Sequence, residues 1–176
     1  MSELNPYRDF LDGRPVDAIL ASTADEISRQ LDSIGKHWPM MRSAPGKWSP
    51  AQIVCHLAEC EVSFGIRLRH TLPDDDPALE RFDRERWASI YPGIPGPVAL
   101  KTFSMLRDWN LRLIRAAFRA TTTRHYIYFD RETVSLETMV ETKAGHDMSY
   151  LWKLQQITGL PLDRTMHAGA LCLMAS

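Results

Sequence analysis

The sequence predicts an all-α protein, a four-helix bundle of the up-and-down kind in which one long connection carries a short extra helix. Three observations predict it. Apolar residues recur at helical spacing in four long segments, the ends of those segments carry recognisable start and stop residues, and strand-forming character is confined to one short aromatic stretch.

The first helix is expected from about Val16 to Lys36, with Ile19, Ile27, Leu31 and Ile34 on one side and Pro15 suited to its first turn. The second has the clearest beginning: Ser49 as N-cap, Pro50 at the first helical position and Gln52 three residues after the cap form a capping box. It is expected to run through Ile53, Leu57, Phe64 and Leu68 to about Thr71, where Pro73-Asp74-Asp75-Asp76-Pro77 stops it. A shorter helical piece from Pro77 to about Ile90 leads into Tyr91-Pro92-Gly93-Ile94-Pro95-Gly96-Pro97, too rich in proline and glycine for regular structure.

The third helix is expected from about Val98 to Ala120, with Phe103, Leu106, Leu113 and Phe118 among its apolar positions. Arg124 to Phe129 reads as an extended connector or a single short strand. The fourth helix starts at Ser135 as cap, runs through Met139, Val140, Leu151 and Leu154, and stops at Gly159 and Pro161. Gly145 interrupts it at a cost of about 1 kcal/mol relative to alanine, which suggests close approach by a neighbouring helix.

The 176 residues, 44% of them hydrophobic, suffice for one domain with a real core. A net charge of −1 excludes bulk attraction to nucleic acid or to an acidic membrane surface. Three cysteines (Cys55, Cys60, Cys172) without a C-x-x-C spacing suggest a reducing compartment, and neither a signal peptide nor a membrane-spanning run is visible. The expectation is a cytoplasmic protein.

The ordered set Asn5-Pro6-Tyr7, Phe10-Leu11-Asp12-Gly13-Arg14, Pro45-Gly46-Lys47-Trp48-Ser49, His56-Leu57-Ala58-Glu59-Cys60-Glu61, Val140-Glu141-Thr142 and Gly145-His146-Asp147 carries a resemblance. The chain resembles the DinB/YfiT-like superfamily of bacterial helical-bundle proteins over roughly Asn5 to Leu160, so that 1–176 would be a single such domain with 163–176 as a tail beyond the likeness. The resemblance implies a metal-dependent hydrolase or a transferase using a low-molecular-weight thiol. It also implies metal ligands at His56, His146 and position 150, where the family carries a second histidine and this chain has Tyr150. The metal would be divalent zinc, nickel, manganese or iron, or none if the site is degenerate. The partners implied are a small-molecule ligand or thiol cofactor and a second copy of the chain.

Taken from spacing alone, two histidines need no metal to explain them. Tyr150 is a poor ligand unless a cation lowers its pKa from about 10. Glu59 and Cys60, three and four residues after His56, share its helical face and are substitutes for the third ligand. Cys60 read plainly is a small buried hydrophobe and Glu59 a solvated carboxylate. Asp147 lies on another face from His146 and reads as a hydrogen-bonding neighbour, and nothing draws His167 toward the site. Arg67, Arg69 and His70 form a small basic cluster that fits an anionic substrate or a solvated face. Trp48, Trp87, Trp109 and Trp152 fit a pocket wall, core positions or helix ends. With no G-x-S-x-G, P-loop or glycine-rich dinucleotide fingerprint, serine hydrolase, NTPase and Rossmann readings are disfavoured, and no catalytic residue is assigned. The alternative from another class is a metal-free module that binds a small apolar ligand or dimerises.

Overall fold

The computed structural model describes residues 5–41, 45–69, 87–120, 126–129 and 132–163. Four long helices dominate: α1 Val16–Ser33, α2 Pro50–Arg69, α3 Gly96–Ala120 and α4 Leu136–Thr158. The piece expected over Pro77 to Ile90 lies largely outside the described residues, as do Thr71, His70, His167 and the tail from residue 164.

Four of the helix ends have a visible local cause. α1 stops three residues short of Lys36 because Gly35 takes φ 77, and its N–H and that of Ile34 close back on Asp32 and Leu31. At the start of α2 the capping box forms in both directions: Gln52 N donates to Ser49 Oγ at 3.2 Å and Ser49 N to Gln52 Oε1 at 2.9 Å. Ser135 caps α4 by accepting from Thr138 N at 3.1 Å, and Gly159, at φ 71, ends it.

The aromatic stretch before α4 goes beyond the expected extended connector or single strand. Tyr126–Phe129 (β1) pairs antiparallel with Glu132–Ser135 (β2), Tyr126 opposite Ser135 and Phe129 opposite Glu132. The second strand was hidden because it is only four residues long and ends on the residue that caps α4.

Around the bundle, α2 packs most extensively on α3 and α1 on α4, with smaller contacts between α1 and α3 and between α2 and α4. The ring order is therefore α1, α4, α2, α3, and the α1–α2 and α3–α4 connections span diagonals. This refines the plain up-and-down arrangement, in which each helix packs beside the next in sequence. Ile27, Leu31, Leu57, Phe103, Ile114, Val140 and Leu154 fill the centre, all at 1% exposure or less. A short 3-10 turn, Arg8–Leu11, lies against α4. Among the described residues no helix is long and apolar enough to cross a membrane.

Candidate metal centre

His56 projects from α2 and His146 from α4, helices adjacent in the ring, and their Nε2 atoms face each other 3.3 Å apart. Cys60, one turn after His56, places Sγ 3.4 Å from His56 Nε2 and 4.0 Å from His146 Nε2. These three are the His/Cys/Asp/Glu donors that converge here among the described residues. Glu59, the other substitute weighed from the sequence, supplies no atom to the group. It is partly buried, and that burial raises its pKa.

Tyr150 lies beside both imidazoles, its ring centroid 4.7 Å from that of His56 and 4.8 Å from that of His146, and it is 2% exposed. Trp48, next to the capping serine, stacks on Tyr150 at 6.1 Å and meets His56 edge-on at 5.0 Å. Lys153 Nζ sits 3.6 Å over the Tyr150 ring. Of the tryptophans read as pocket or core residues, Trp48 alone joins the site. Trp87, Trp109 and Trp152 are 43%, 55% and 52% exposed, so they do not fill the core.

Gly145 does mark a close approach, but by the N-terminal turn rather than a helix. A Cβ there would stand 2.4 Å from the carbonyl oxygen of Tyr7. The same turn sets the Tyr7 ring edge-on to His146 at 5.2 Å.

Behind the donors lies a buried cluster of charges. Glu61 follows Cys60 and Asp147 follows His146, and both carboxylates are fully buried. Arg107 of α3 donates to Glu61 Oε1 and Asp147 Oδ2, each at 2.5 Å, and to the carbonyl of Leu20 on α1 at 2.9 Å. Lys143 bridges the same two carboxylates at 2.8 and 2.5 Å, and Asn110 donates to Glu61 Oε2 at 2.8 Å. Two cations face two anions, so the cluster is neutral while tying all four helices together.

The electrostatics follow. Burial would raise Asp147, but the Arg107 and Lys143 charges overcome it and hold its carboxyl well below the usual carboxylate range. Burial lowers the His146 pKa and keeps the imidazole neutral. Burial pushes the Cys60 thiol up to about 12. His146 Nδ1 is buried without a hydrogen-bond partner, and Asp147 Oδ1 is its neighbour at 3.7 Å. Tyr91 is 2% exposed with its hydroxyl unpartnered, and burial raises its pKa, helped by Cys60 and Glu59 nearby.

Sequence reasoning missed Glu61, Arg107 and Lys143. A signal existed: Arg107 sits between Phe103, Leu111 and Ile114 on the inward stripe of α3, and Lys143 falls between Val140 and Ala144 on that of α4. Of the basic cluster, Arg67 is half-buried, which lowers its pKa, and Arg69 donates to the Gly65 carbonyl of its own helix.

Comparison with known proteins agrees with this architecture. The family model of the DinB superfamily matches residues 13–151. Two Oceanobacillus iheyensis proteins, each named "putative metal-dependent hydrolase", are 28% and 22% identical over 109 and 107 residues. Each match covers 60% of this chain and 62% of the relative, so the chain spans less than two thirds of their length. A solved structure of YfiT from Bacillus subtilis, described as "a probable metal-dependent hydrolase with an unusual four-helix bundle topology", superposes with a TM-score of 0.66. Identity is 18%, over 83% of this chain and 87% of that one, so this likeness speaks for the fold.

Proposed function

The chain belongs to the DinB superfamily, and from that membership and the geometry of its core we propose a metal-dependent hydrolase whose divalent cation is held between His56 and His146. The observation that carries the reading is the meeting of the two Nε2 atoms at 3.3 Å, with a thiol beside them. The residues fit such an ion. A neutral imidazole has one N–H and one lone pair, so a cation on His146 Nε2 puts the proton on Nδ1, the orphaned atom that faces the Asp147 carboxylate.

A divalent cation with an open position lowers the pKa of a bound water to about 7 and polarises a carbonyl. The protein's own part is placement. Burial keeps the His146 lone pair free at neutral pH, the Asp147 carboxylate faces Nδ1 where it would accept that nitrogen's proton in a hydrogen bond, and Arg107 and Lys143 keep that carboxylate ionised. Trp48 and Tyr150 wall the two imidazoles with aromatic surface, which excludes water. Hydrolysis is preferred to thiol transfer because the relatives carry that description.

The test is metal content joined to activity. Protein prepared without chelator and offered zinc, nickel, manganese or iron should hold one equivalent by elemental analysis, and should hydrolyse some member of an ester, amide and phosphoester panel in a chelator-sensitive way. No stoichiometric metal would overturn the reading and leave a metal-free small-ligand module in its place. Metal without chelator-sensitive hydrolysis would overturn the catalytic half alone.

A further inference from the structure

Resting on the metal reading, we infer that Cys60 is the third ligand, making a two-imidazole, one-thiolate centre that selects zinc. The family resemblance points to an i, i+4 pair of ligands on the last helix, at positions 146 and 150. In this chain the i, i+4 pair is on the second helix, His56 and Cys60, and the last helix contributes His146 alone.

The distances support the assignment. Zinc binds imidazole nitrogen at about 2.0–2.1 Å and thiolate at about 2.3 Å, so tetrahedral geometry sets N···N near about 3.3 Å and N···S near about 3.6 Å. The observed separations are 3.3 Å between the Nε2 atoms and 3.4 and 4.0 Å from them to Sγ, which also lies 3.8 Å from His56 Nδ1. The two Nε2 atoms thus stand at the edge length of a zinc tetrahedron, and Sγ, beside the His56 ring, completes the face on a turn of the Cys60 side chain, with the fourth corner left to water or substrate.

The Tyr150 ring packs against both imidazoles. It is tilted 43° to each imidazole, stacks on Trp48 and carries the Lys153 ammonium over its face. Those contacts use it as an aromatic wall. The thiolate also decides the metal: soft sulfur with imidazole favours zinc, whereas manganese prefers oxygen donors, and among the described residues no carboxylate joins the group. On coordination the S–H bond of Cys60 gives way to an S–metal bond, and the proton leaves to solvent.

Cobalt(II) in place of zinc provides the test. Tetrahedral cobalt absorbs in the visible, and a thiolate ligand adds a charge-transfer band in the near ultraviolet. Wild type and Tyr150→Phe should show both features. Cys60→Ser and Cys60→Ala, with helicity checked by circular dichroism, should lose the ultraviolet band and bind cobalt at least about tenfold more weakly, since even partners outside the ligand sphere cost 10–100-fold. Visible bands without the ultraviolet band in wild type, or an ultraviolet band surviving in Cys60→Ser, would overturn the assignment while leaving a metal centre. Absence of every cobalt band in wild type would overturn the metal reading as well.

Discussion

The carbonyl of Tyr7 rests in the space that Gly145 leaves empty, so that a methyl group on residue 145 would stand 2.4 Å from that oxygen and 2.8 Å from the Tyr7 Cβ. The glycine seats the N-terminal turn against α4 one residue before His146. Two effects oppose each other in Gly145→Ala: helix propensity gains about 1 kcal/mol, and a backbone oxygen has to move. The turn is the softer partner, with Arg8, Asp9 and Phe10 exposed. The expected outcome is displacement of the turn, read as lost hydrogen-exchange protection at the Phe10 amide, which donates to Tyr7 O at 3.1 Å. Unchanged protection would show that the contact is not tight.

Arg107→Met should be severely destabilising. It leaves Glu61 and Asp147 sharing Lys143 alone, an uncompensated negative charge in the core, and breaking a buried pair in this way costs about 3–5 kcal/mol. Adding Asp147→Asn should recover part of the loss, because the leftover charge disappears. Urea unfolding measures both; a single-variant cost under about 1 kcal/mol would contradict the cluster.

Stability of the chelator-treated protein should fall on acidification in two stages. The folded pKa of His146 is depressed below its unfolded value, so its contribution is full above about 6.5 and declines as pH falls through that range. Asp147 is also depressed, and its contribution is lost only below about 4. A melting temperature flat from pH 8 to 7, falling below about 6.5 and steeper below about 4, is expected. A stability maximum near pH 5 would contradict it.

Tyr91→Phe should leave the unliganded protein as stable as wild type or up to about 1 kcal/mol more stable, because the buried hydroxyl it removes has no partner. A measurable loss of stability would mean the hydroxyl is satisfied in solution.

The helices were legible in the sequence because their causes are local: the Ser49–Gln52 box, Ser135 as cap and Gly159 as stop lie within a few residues of what they control. The ring order was not, since it depends on how the long connections cross the bundle. His56 and His146 came together through family resemblance rather than spacing. Cys60 showed only its helical offset, which fits a ligand and a small core residue equally well. The charge cluster escaped because Lys143 and Asp147, four apart, have the spacing of an ordinary surface pair, which outweighed the inward placement of Lys143 between Val140 and Ala144.

The central claim is that a cation is held between His56 and His146. Isothermal titration of zinc into apo wild type and into His56→Ala/His146→Ala, with folding of both verified, tests it most directly. One equivalent bound by wild type and none at comparable affinity by the double variant is the predicted result; equal binding by the two, or no binding by wild type, would contradict it.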